Sequence, residues 1–84
     1  MASPMTDEYM KEIIAYNKRN NMSTYFYTNE LGVEKMIAID DNPNEDNEYG
    51  CYVMNIETGD HCGAGAMTED KMNEFFSHYN ISRN

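Results

Sequence analysis

Cationic residues are scarce in this chain. Six Lys and Arg stand against fifteen Asp and Glu, for a formal charge of −9. Direct binding to DNA or RNA needs a cationic surface against phosphate, and six scattered basic residues do not make one. Long apolar runs are missing too. No stretch approaches the roughly 18–20 residues of a membrane-spanning helix. The N-terminus has no basic segment leading into an apolar one, so no secretory signal is expected. Two cysteines are too few for a disulfide scaffold. As reduced, partly buried thiols they fit a cytosolic protein. At 84 residues, the chain reads as one small domain over 1–84, with flexible ends at 1–5 and 80–84. So short a chain leaves little room for a walled catalytic pocket.

What is present favours folding. Seven Tyr, three Phe and eight Met are generous for this length, whereas disordered acidic chains usually lack aromatics. Thr6 reads as the N-cap of a first helix, with Asp7 and Glu8 in the first turn and Met5 and Met10 at staple spacing. Tyr9, Met10, Ile13, Ile14 and Tyr16 recur at helical intervals. Lys18, Arg19, Asn20 and Asn21 suit the helix end. Met67-Thr68-Glu69-Asp70 repeats the start pattern, and convergence on good helix-start chemistry explains the repeat. A second helix is thus expected from Thr68 to about Tyr79, burying Met72, Phe75, Phe76 and Tyr79.

Between the helices the period drops to two. Met22–Thr28, Val33–Asp40 and Tyr49–Ile56 read as strands, with His61–Ala66 as a short fourth weakened by Gly63 and Gly65. Short turns at Asn29–Gly32 and Glu57–Asp60 imply an antiparallel meander. The expected fold is α+β: a two-layer sandwich in which an antiparallel three- to four-stranded meander is flanked by an N-terminal and a C-terminal helix. Alternation puts Phe26 on one sheet face and Tyr25 and Tyr27 on the other. A core face bearing Phe26 would leave both tyrosines on an exposed face.

The most distinctive stretch is Asp40-Asp41-Asn42-Pro43-Asn44-Glu45-Asp46-Asn47-Glu48. Five of its nine residues are acidic and none is basic or apolar. Asp40, Asn42 and Asn44 match the first places of a calcium-binding EF-hand loop. Glu45 then stands where Gly is needed and Cys51 where a bidentate Glu is needed. A solvated loop and a docking surface for a basic partner are the other two readings. Further acids at Asp7, Glu8, Glu12, Glu30, Glu34, Glu69, Asp70 and Glu74 spread charge over several elements. A folded body carrying spaced carboxylates can imitate nucleic-acid phosphates in a cationic groove.

Other chemistry is weaker. Cys51, His61, Cys62 and His78 are a possible ligand set for zinc, but their spacing matches no zinc knuckle, and adjacent strand residues point apart. A Thr58-Gly59 hairpin puts Asn55 opposite Cys62 and leaves Cys51 roughly 13 Å along the strand, too far for a disulfide. Cys62 as nucleophile, with His61 or His78 as base, lacks an orienting third group. Gly63-Ala64-Gly65 lacks the spacing and the Lys of a phosphate loop. No catalytic residue, metal site or cofactor is therefore expected.

In size, charge and element order the chain resembles small phage-encoded inhibitors of the anti-CRISPR, anti-restriction and uracil-glycosylase-inhibitor types. No motif carries that likeness, so no functional residue is transferred. It implies a non-enzymatic inhibitor that binds and blocks a nucleic-acid-binding defence enzyme or complex of a bacterial host. Asp40, Asp41, Glu45, Asp46 and Glu48 would meet the basic partner, Glu30 and Glu34 would extend the patch, and Tyr25, Tyr27 and Tyr49 would anchor it. An immunity protein or antitoxin against a basic toxin uses the same electrostatics. A small metal-binding or thiol-dependent domain is the alternative of another class. Neither nucleic acid nor membrane is an expected direct partner. An uncovered sheet face or edge allows a homodimer.

Overall fold

The computed structural model describes residues 7–81. Six elements follow in chain order: α1 (Asp7–Arg19), β1 (Met22–Thr28), β2 (Glu34–Asp40), β3 (Glu48–Asn55), β4 (His61–Thr68) and α2 (Glu69–His78). The strands form one antiparallel sheet in the order β1-β2-β3-β4. The α+β arrangement of a four-stranded meander with a helix at each end follows the sequence pattern. The expected cap at Thr6, the Met5 staple and the flexible segment 1–5 lie outside the described residues.

The layering differs from a two-layer sandwich. Met36-Ile37-Ala38-Ile39 of β2 is buried throughout. Successive strand side chains point to opposite faces, so a continuous apolar run needs cover on both. Met36 and Ala38 join Met54 in a cluster packed by Met10 and Ile13 of α1. Ile37 and Ile39 join Met72 and Phe76 of α2. The helices therefore lie on opposite faces, giving the layers α1, sheet, α2.

A polar tie secures α1 to the sheet. Asn17 is completely buried. Its Nδ2 donates to Thr24 Oγ1 at 2.9 Å, and the Tyr52 hydroxyl donates to its Oδ1. Burial pushes the Tyr52 phenol above its ordinary pKa, against the hydrogen bond to Asn17, which lowers it. Opposite, Thr68 Oγ1 caps α2 by accepting from Lys71 N. The far end of α2 closes as a Schellman motif. Asn80 takes a left-handed φ of 55°, and Ile81 N donates to Phe76 O at 2.8 Å. Ile81 also packs into the α2-side cluster. Asn80 and Ile81 thus complete the helix cap, and 82–84 lie outside the described residues.

Each hairpin loop is organised by an asparagine side chain. Asn29 Oδ1 accepts from Leu31 N and Val33 N, both at 2.9 Å. Asn44 Oδ1 accepts from Asp46 N at 2.8 Å and Glu48 N at 3.0 Å. The backbone bonds also correspond, Asn29 to Val33 and Asn44 to Glu48, with a left-handed residue at Gly32 and Asn47. Such side-chain-to-backbone bonds are what favours Asn in turns. In the third loop Asn55 Oδ1 accepts from Glu57 N and Thr58 N, while Asn55 N donates to Asp60 O. That closure leaves four loop residues, Ile56–Gly59, instead of the expected two. The register moves with it: Met54 faces His61, Cys51 faces Gly65, and a bulge lies between Val53 and Met54. Cys51 and Cys62 are both free thiols.

Candidate acidic interaction surface

The acidic segment is an ordered hairpin, not a slack run of charge. Asp40 ends β2 and Glu48 opens β3, both half-buried, while Asp41–Asn47 is exposed. The Asp40 carboxylate lies over Gly50, so close that a Cβ there would stand 2.5 Å from Asp40 Oδ2. Asp41 is tied to β1, with Ser23 Oγ donating to its Oδ1 at 2.5 Å. Its backbone N also donates to Asn21 O at 2.8 Å. The Asn44 bonds then fix the backbone at Asp46 and Glu48.

The fold brings this hairpin to the start of α2. Asp46 shares a cleft of about 280 Å³ with Glu69 and Asp70, and Pro43, Asn47, Tyr49 and Thr68 complete its wall. Taken along the chain, Glu69 and Asp70 read as ordinary helix-start acids. They serve that role, and they also join Asp46 in one carboxylate surface. β3 and β4 run antiparallel, so the entry to β3 lies beside the exit of β4, with Glu48 opposite Thr68. A smaller hollow of about 130 Å³ sets Tyr25 and Tyr49 beside Asp40 and Asp41.

Not every expected site residue reaches this surface. Glu30 and Glu34 lie at the other end of β2, roughly 20 Å away over seven residues. They do not extend the patch. Glu30 instead holds the end of α2: its carboxylate meets His78 Nε2 at 3.2 Å and accepts from the Tyr79 hydroxyl at 3.0 Å. A bond to its own backbone and those two side-chain bonds hold its carboxyl below the ordinary range. The hydrogen bond to Glu30 in turn pushes the Tyr79 phenol up.

The aromatic faces are also reversed. Tyr25 packs edge-on against Phe76 at 4.8 Å between centroids, and Tyr27 against Phe75 at 5.1 Å. Both tyrosines are half-buried under α2, and burial pushes the Tyr27 phenol up. Phe26, on the α1 side, is 42 % exposed. With a helix over each face, the aromatic stripe of α2 takes the tyrosine side. Tyr25 and Tyr49 still reach the acidic end, whereas Tyr27 does not.

The groups considered for zinc or thiol chemistry are dispersed. His61 stacks on Tyr52 on the α1 side. Cys62, exposed beside the bulge, accepts from Lys35 Nζ at 3.0 Å. His78 is at the far end of α2 with Glu30. Burial and the nearby Asp40 charge push the Cys51 thiol up, away from reactive thiolate. Among the described residues no group of three or more His, Cys, Asp or Glu is arranged to hold a metal ion. No described helix is long and apolar enough to cross a membrane. Comparison with family models, curated proteins and solved structures finds no match.

Proposed function

We propose that this chain is a small acidic inhibitor of the phage type, which binds and blocks a nucleic-acid-binding enzyme or complex in a bacterial cell. One observation carries the reading: Asp46 of the hairpin and Glu69 and Asp70 of α2 meet over one cleft. They form a carboxylate surface drawn from two elements, the Asp46 backbone held by Asn44 and the start of α2 capped by Thr68. Fixed carboxylates offer a cationic groove what phosphates offer it, and without the cost of ordering a flexible acidic tail. Tyr25 and Tyr49 beside Asp40 and Asp41 add apolar area with hydroxyls, which suits an interface. Steering by such a surface is fast at low salt and falls away as salt screens it.

The test is capture from a bacterial lysate with two baits, the parent and Asp46→Asn/Glu69→Gln/Asp70→Asn. Each helix-start change costs the fold about 0.3–1 kcal/mol, so both baits are first checked by circular dichroism. The parent retains a basic nucleic-acid enzyme in low salt and inhibits it in stoichiometric amount, and the triple variant does neither. Equal capture and inhibition by the two baits refutes the reading. A basic toxin as the captured protein turns it into an immunity function.

A further inference from the structure

Beyond the acidic cleft, the outer edge of the sheet is unusual. β4 is last in the strand order, and nothing among the described residues pairs with its outer edge. Residues 61–66 are exposed on both faces, and only Met67 is half-buried. A Cβ placed on Gly63 or Gly65 would meet nothing within 4 Å. An open edge presents unpaired backbone N–H and C=O groups. Natural sheets usually blunt such edges with Lys, Pro or inward charge. In His61–Thr68 there is no Lys, Arg, Asp, Glu or Pro. The bulge at Val53/Met54 disturbs only its first residues. Glycine inside a strand weakens it and often marks the close approach of another backbone.

The charges around the edge decide what can approach. Asp60 precedes β4, while Glu69 and Asp70 follow it, with Asp46 across the same cleft. A second copy pairing antiparallel would bring Asp60 of one chain toward Glu69 and Asp70 of the other, with −9 on each chain. An extended segment flanked by Lys or Arg meets Glu69, Asp70 and Asp46 at one end and Asp60 at the other, where Lys35 Nζ at Cys62 Sγ offsets part of the negative charge. The opposite edge, β1, is less open: α1 and α2 half-bury most of its side chains, and Lys18 and Arg19 stand just before it.

We propose that β4 accepts an extended, base-flanked segment of the partner as a fifth strand, with the backbone supplying pairing and Asp60, Asp46, Glu69 and Asp70 supplying register. This is strand addition, and it rests on the acidic-inhibitor reading while naming how the partner docks.

The probe is a synthetic peptide of alternating Val and Thr with two Lys at each end. Its control carries Pro at alternate core positions and keeps the same charge. Amide shifts and hydrogen exchange are read on the intact chain, alone and with each peptide. The strand-forming peptide should protect amides within Gly63–Met67 and bind at least tenfold more tightly than the Pro control. Ala66→Lys, an exposed change that adds edge charge, should remove most of that difference. If both peptides bind equally and β4 amides do not move, strand addition is wrong and the acidic-surface reading stands. If neither peptide binds, both are wrong. Protection of the same amides without peptide, growing with protein concentration, would assign the edge to a second copy and overturn the proposal.

Discussion

Asn44 and Asn29 occupy equivalent places in two hairpins, and only Asn44 carries the acidic surface. That pairing permits a controlled test of preorganisation. Asn44→Ala removes the acceptor for Asp46 N and Glu48 N, at 2.8 and 3.0 Å. Asn29→Ala removes the acceptor for Leu31 N and Val33 N, both at 2.9 Å. A typical hydrogen bond contributes about 0.5–1.5 kcal/mol net, and water replaces these exposed ones readily. Each variant should therefore lose about 1 kcal/mol. With a urea m-value of about 1 kcal/mol/M for a small domain, each midpoint should fall by about 1 M. Binding should separate the two. In Asn44→Ala the loop must be ordered at the moment of association. If that cost of about 1 kcal/mol moves to binding, Kd for the captured target rises about fivefold. Asn29→Ala should leave Kd unchanged, because its loop lies at the other end of the sheet. Urea melts and calorimetric titration provide both readings. Equal weakening of binding by the two variants would refute the reasoning.

Asn17→Ala should cost about 1–3 kcal/mol, because it removes a fully buried side chain that bridges the half-buried Thr24 and Tyr52; a loss under about 0.5 kcal/mol by urea melt would contradict the buried tie. Gly50→Ala should cost less than about 1 kcal/mol, since the group in its way is the mobile end of Asp40. That cost should vanish in an Asp40→Ala background by the same melts. Glu30 is held below its ordinary pKa in the folded chain, so the unfolded chain takes up its proton first. Its stabilising contribution is present above the unfolded value of about 4.5 and is lost as pH falls through the lower folded value. The difference in melting temperature between parent and Glu30→Gln should therefore shrink on acidification below that value, and a difference that grows would reverse the sign.

Much of this fold was legible in local chemistry. Asn21 and Asn29 punctuate a run of aromatic and β-branched residues and so mark both ends of β1. α2 was legible because Thr68 caps it and its apolar stripe follows the helical period. β4 ran two residues further than its glycines suggested, since pairing with β3 outweighs their weak propensity. The placement of the helices was encoded in Met36-Ile37-Ala38-Ile39, whose unbroken apolar run calls for cover on both faces. A one-sided sheet would put Phe26 in the core and the tyrosines outside, whereas cover on both faces reverses them. The acidic loop stood out by composition, but its union with Glu69 and Asp70 depends on the β3–β4 register, which no local pattern reveals. Asn17 was hidden as a polar residue inside an apolar stripe, and its position four residues after Ile13 was the available clue.

The most direct test of the acidic-surface account is the association rate of the captured target by stopped flow, from about 20 to 500 mM NaCl. The parent should associate fast at low salt and slow by more than about tenfold across that range, as screened steering requires. Asp46→Asn/Glu69→Gln/Asp70→Asn should start slower and respond only weakly to salt. Superimposable salt profiles for the two proteins would contradict the account.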